Sequence, residues 1–186
     1  MKKQPQITAQ TMQNFTKAFC MQMMKKPVEQ ITVKEISDIA GYNRSTFYLY
    51  YSDVYDLERQ TENELLEKID EMIKSCITSG CLNIKLLIRS VLDMEQIRFD
   101  TGYALLGKYG PPEFAQRLKQ LLLPVLMPFF VNEDILYSDE GNALSEFYMS
   151  GILGVVRWWI QSRNVPIEQL ICTLIPKITN NGGLIL

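Results

Sequence analysis

Residues Thr32 to Leu57 read TVKEISDIAGYNRSTFYLYYSDVYDL: two short helical patterns broken by one glycine and followed at once by a third helix start. Thr32 with Glu35 three residues later forms a capping box. The hydroxyl can accept from an early backbone N–H while the carboxylate reaches back to the cap. Val33, Ile36, Ile39 and Ala40 supply apolar positions at near-helical spacing. Gly41 stops that helix where a left-handed residue is wanted. Asn43 is placed to cap the next helix, which carries Arg44, Ser45, Thr46, Phe47, Tyr48, Leu49, Tyr50 and Tyr51. Helix, tight Gly-containing turn, helix is the helix-turn-helix pattern, whose second helix enters the DNA major groove.

The second helix sorts by face. Phe47 and Tyr51 lie four apart and are expected to pack inward. Arg44, Ser45 and Thr46 crowd the N-terminal turn, where the dipole and free N–H groups favour a phosphate. Tyr48 follows Arg44 by four residues, so the two share a face. An arginine can donate two bonds to guanine O6 and N7, and the Thr46 methyl can meet a thymine methyl. The hydroxyls of Tyr48 and Tyr50 suit backbone phosphates, which fix register without reading sequence.

In these residues the chain resembles the N-terminal signature of TetR-family transcriptional regulators. The matching features are the threonine cap, a short helix ending in Ala40-Gly41, the Thr46-Phe47-Tyr48 recognition helix and an Asp53-led entry to a fourth helix. The resemblance covers about a quarter of the chain. It implies that Lys34 and Arg44 face bases, and that Thr32, Ser45, Thr46, Tyr48 and Tyr50 make backbone or mixed contacts. With Asn43, these form the expected DNA-facing set. Two features depart from the pattern. Val54 stands where the family commonly has a phosphate-gripping lysine, and the Tyr48–Tyr51 run YLYY replaces a mix containing a basic residue or histidine. Each lost phosphate contact flattens the salt slope by about one unit per subunit.

Composition narrows the remaining choices. At 186 residues with 47% hydrophobic content, the chain can bury a sizeable core. The net charge of −2 gives no overall basic signature. Residues 1–53 nevertheless hold seven Lys/Arg against four Asp/Glu, a mildly basic head on an acidic remainder. There is no histidine, which removes His-dependent triads, His general bases and His metal sites. Nor is there a nucleotide-binding glycine loop or a carboxylate pair at acid–base spacing, so the reading is non-enzymatic, with no metal or cofactor. Cys20, Cys76, Cys81 and Cys172 have no zinc spacing. Cys76 and Cys81, five apart near a glycine, leave a redox role open beside the plainer reading as small apolar residues. The opening MKKQPQITAQ lacks a signal-peptide core, and no run approaches a membrane span. The expected location is cytoplasmic.

The whole chain reads as all-α, with a DNA-binding domain over 1–52 and a helical ligand-binding and dimerisation domain over 53–186. A first helix is expected over Ile7–Met24, with Met12, Phe15, Ala18, Phe19 and Met23 on its apolar side. Lys25 and Lys26 are read as a solvated helix end or as lying near phosphates. Ser52 is placed to cap a long helix over 53–75 that links head to body, with Gly80 marking its end. A helix over Asn83–Glu95 and a separate short segment over Asp100–Lys108 follow. Pro111 and Pro112 open the next helix, which Pro124 and Pro128 kink or end.

Two apolar helices, 139–163 and 166–180, close the chain. Gly151 and Gly154 permit close helix approach. The pair resembles the dimerising helices of the family, where two from each subunit form a four-helix bundle. The resemblance also implies a pocket in the body whose ligand shifts the long linking helix. Phe99, Tyr103, Tyr109, Phe114, Phe129, Phe130, Tyr137 and Tyr148 are aromatic candidates for lining or plain core, and the ligand-binding residues stay unassigned. The function expected is a homodimeric regulator on palindromic double-stranded DNA, a repressor relieved by a small-molecule effector. The alternative is a TetR-like coactivator or regulator answering to a protein partner.

Overall fold

The structure is a computed structural model that describes residues 5–78, 80–129, 131–132, 134–162, 166, 169–170 and 173. Among these residues the regular secondary structure is helical apart from one short ribbon. In chain order the helices are α1 (Pro5–Met23), α2 (Val33–Ala40), α3 (Arg44–Phe47), α4 (Val54–Ser75), α5 (Ile84–Leu106), α6 (Pro112–Leu126) and α7 (Asp139–Ser162). Single 3-10 turns cover Val28–Gln30 and Met127–Phe129. The chain divides into two compact units, one of Met1–Leu65 with Arg98–Phe114, the other of Leu66–Ile97 with Ala115–Leu186.

The first unit is built on aromatic packing. Phe15, Ala18, Phe19 and Met23 of α1 are buried, as the helical spacing predicts, together with Thr11 and Cys20. Phe47 meets Phe15 edge-on at 5.4 Å between ring centres, and Tyr51 meets the same ring at 6.2 Å. Each fully buried phenylalanine contributes about 1.5–3 kcal/mol through its area alone. Ile36 of α2, Leu57 of α4, Leu105 of α5 and Phe114 of α6 add to this core. Phe47 and Tyr51 thus turn inward as expected, anchored on α1.

The entry to α4 differs from the expected cap. Asp53, not Ser52, caps the helix: its Oδ1 accepts from the Asp56 N–H at 2.7 Å. Ser52 instead donates its backbone N–H to Asp56 Oδ2 at 2.9 Å. That bond is the main reason the Asp56 carboxyl is held below its usual range. A carboxylate beats a hydroxyl here because its charge also meets the helix N-terminal dipole.

After α4 the chain makes an antiparallel ribbon that helical periodicity did not foresee. β1 (Ile77–Thr78) pairs with β2 (Cys81–Leu82), with Ile77 opposite Leu82 and Thr78 opposite Cys81. Gly80 closes the turn with φ 77°. The two segments expected over 83–108 are one helix, α5. Gly102 inside it costs about 1 kcal/mol of propensity, a cost outweighed by burial of Tyr103, Ala104, Leu105 and Leu106 around it.

Pro112 opens α6 as expected, at the end of the first unit, and the helix runs on into the second, where Pro124 falls near its C-terminal end and Pro128 lies in the following 3-10 turn. The prolines therefore end the helix where the expectation was a kink or an end. A Lys119–Glu146 ion pair ties α6 to α7. α7 buries Gly141, Ser145, Met149, Leu153 and Ile160 on one side. Most of the helix expected over 166–180 lies outside the described residues. Leu170 N–H does donate to Pro166 O, a helical bond with the proline in the opening position. Cys76 is buried with Sγ 3.7 Å from Ser90 Oγ, Cys81 is exposed, and both thiols are free. Cys172 lies outside the described residues.

Candidate nucleic-acid interface

The α2–α3 pair is held by three devices. The first is the capping box at Thr32. Glu35 N–H donates to Thr32 Oγ1 at 3.3 Å, and the Thr32 N–H donates to Glu35 Oε2 at 2.9 Å. The second was missed in the sequence: Lys26 Nζ pairs with Glu35 Oε1 at 2.6 Å. This bond, followed by those from Thr32, draws the Glu35 carboxyl down to about 2. Lys26 is thereby bound to the N-terminal turn of α2, so it is neither a loose helix end nor a free phosphate ligand. A lysine six residues ahead of a capping-box threonine was the available signal, but only folding shows that the chain doubles back.

The third device is Gly41. It sits in the left-handed region at φ 77° and donates its N–H to Ser37 O, and the Tyr42 N–H shares that acceptor at 3.0 Å. Tyr42 is then fixed from outside the pair, because Asn14 Nδ2 donates to its hydroxyl at 3.3 Å. Gly41 has no atom within 4 Å of where a Cβ would stand, so the backbone angle alone sets the requirement.

α3 has four helical residues, shorter than the sequence pattern through Tyr51 suggests. The chain continues in turns: Leu49 N–H donates to Thr46 O, and the N–H groups of Tyr50 and Tyr51 both donate to Phe47 O. Asn43 occupies the cap position but does not cap with its side chain. Its Oδ1 accepts the hydroxyls of Ser45 and Thr46, at 3.5 and 3.2 Å. The Asn43 amide nitrogen is left as the donor it can offer a phosphate.

The expected DNA-facing residues gather on these elements. Thr32, Lys34, Asn43, Arg44, Ser45 and Tyr48 are exposed, while Thr46 and Tyr50 are half-buried. Tyr48 is 57% exposed and follows Arg44 by one turn, its N–H donating to Arg44 O at 3.1 Å. Tyr50 leans toward Phe15, with ring centres 6.5 Å apart, so its ring serves the core as well. Leu49, which has no assigned role in the expected DNA-facing set, is 65% exposed. With Phe47 and Tyr51 inward, the residue midway between them has to point out. Val54 is buried, so the first position of α4 offers no phosphate contact.

The exposed side chains of the pair are hydrogen-bond donors of the kind an anion takes, beside planar and branched groups of the kind that suit base edges. Among the described residues no group of His, Cys, Asp or Glu is placed to hold a metal ion. No described helix is long and apolar enough to cross a membrane.

The fold is that of TetR-family repressors. No family model matches the chain, and no curated protein matches it in sequence. Solved structures do match. NalD, the secondary repressor of the MexAB-OprM multidrug efflux pump in Pseudomonas aeruginosa, superposes with a TM-score of 0.63 at 14% identity, covering 94% of this chain and 96% of its own. The TetR-family repressor AlkX from Dietzia sp. strain DQ12-45-1b, implicated in biodegradation of n-alkanes, gives 0.50 at 16% identity, covering 91% and 93%.

Proposed function

We propose that the chain is a DNA-binding transcriptional repressor that works as a homodimer in the cytoplasm, by binding and not by catalysis. Residues 1–52 read a palindromic operator, and residues 53–186 dimerise and hold a small effector that relieves binding. The observation that carries the reading is the exposed row Thr32, Lys34, Asn43, Arg44, Ser45 and Tyr48 on a capped, glycine-turned helix pair. Arg44 is assigned a guanine and Lys34 a base edge or phosphate. The remaining members, with Thr46 and Tyr50, set register. That NalD and AlkX, alike in fold, are repressors supports the same role here.

Dimerisation is supported by the outer face of α7. Phe147 is 72% and Trp158 51% exposed. With the exposed Gly151 and Gly154 they follow spacings of four, three and four, which place them on one stripe. Large rings flanking two glycines suit a second helix at close range.

A second reading, a regulator that depends on a protein partner, is favoured by the buried Val54, which removes one phosphate contact per subunit. Selection of random duplex DNA on the purified protein at moderate salt separates the two. A palindromic motif in the bound pool supports direct operator reading. Folded, dimeric protein that enriches no sequence shifts the assignment to the partner-dependent regulator.

A further inference from the structure

One buried acid in the first unit has no part in the proposed DNA contacts. Glu58, on the second turn of α4, is 9% exposed, and among the described residues no donor reaches its Oε1. The adjacent buried Thr61 cannot help, because its hydroxyl donates to Leu57 O at 2.7 Å. The charges bearing on Glu58 are mostly of its own sign and come from three segments. Glu62 lies one turn further along α4, Glu29 in the 3-10 turn Val28–Gln30, and Glu113 in the first turn of α6. Arg59 opposes them from α4 itself, but its guanidinium is paired to Asp56 at 3.3 Å. Of these carboxylates Glu62 is buried as well.

A neutral carboxyl can sit in such a place; a carboxylate pays desolvation and meets three like charges. We propose that Glu58 is a proton-operated switch in the head: protonated, it lets the Val28–Gln30 turn and the start of α6 close on α4, and deprotonated it forces them apart. The turn leads through buried Ile31 straight into the Thr32 cap of α2. Release of the proton therefore loosens the element that positions the reading pair. Burial, then the neighbouring carboxylates, push the Glu58 carboxyl up to about 7, so the change falls near neutral pH.

The sign follows from linkage. A carboxyl raised in the folded state stabilises the fold fully below its unfolded value near 4.5, and that stability is lost as pH rises toward 7. Glu35, drawn down to about 2, acts the other way and only in acid, between about 4.5 and 2. The chain has no histidine, so few other groups titrate between pH 5 and 8.

The test is thermal unfolding of the full chain between pH 5 and 8, wild type against Glu58→Gln. The wild type should lose roughly 5 °C in Tm across that range, and Glu58→Gln should lose little. Equal slopes overturn the proposal. Should Glu58→Gln fail to fold, Glu29→Gln and Glu113→Gln, both at exposed positions, serve instead. Each should move the midpoint of the wild-type transition to lower pH, and an unmoved midpoint counts against the switch. Amide exchange over residues 31–40, corrected for intrinsic rate, should rise with pH in the wild type but not in Glu58→Gln. Neither measurement involves DNA, so the switch and the operator-reading assignment stand or fall separately.

Discussion

Arg44 carries the greatest share of the proposed sequence reading. It is exposed at the start of α3, and no other side chain of α3 can donate two parallel bonds to a base edge. Arg44→Ala should weaken specific binding by about 1–3 kcal/mol and relax the choice of base at one position per half-site. A titration against the selected operator and its single-base variants checks this. An equal loss on every sequence would reduce Arg44 to a phosphate contact. Lys26 shows the opposite case, a basic residue close to the reading pair whose charge is spent on Glu35. Its role is to hold α2 against the end of α1.

The turn between α2 and α3 depends on a single backbone angle. Gly41→Ala places a Cβ in open space but forces a left-handed conformation. The cost should be about 1–2 kcal/mol, read as a lower urea midpoint at unchanged slope, and Gly41→Asn should recover part of it. α3 itself is too short to be stable alone, since a four-residue helix cannot offset its nucleation cost. It is held by Phe47 against Phe15. Both anchors were legible in the sequence, because a glycine after Ala40 and an inward aromatic at i and i+4 each have one reasonable reading. The early end of α3 was not legible. Nothing in RSTFYLYY breaks a helix, and the turns after Phe47 follow from how Tyr50 and Tyr51 settle around the Phe15 ring.

A repressor with one reading pair grips too few bases to find an operator, so the proposed function requires two copies. Phe147→Lys on the outer face of α7 places a charge on the stripe assigned to the partner. Sedimentation should show a monomer at micromolar concentration. Binding to a full palindrome should fall about 100-fold, while binding to a half-site is unchanged. A dimer that persists would move the interface elsewhere. Phe147 is exposed in the single chain, so the substitution leaves the core of the second unit intact.

Local patterns reached far in this protein because its decisive features are short-range. The Thr32–Glu35 box, the Gly41 stop, the inward Phe47 and Tyr51 and the long α4 all depend on neighbours within about four residues. The all-α class follows from the same periodicity. What only the folded chain decided joins residues that periodicity cannot relate. Lys26 reaches Glu35 because the chain turns between α1 and α2. The ribbon at Ile77–Leu82 and the unbroken α5 exist because packing outweighs local propensity. Glu58 was invisible in sequence, where a glutamate on a helix of mixed charge reads as solvated. Only folding buries it, and only folding brings the charges of Glu29 and Glu113, some thirty and fifty-five residues away along the chain, to bear on it.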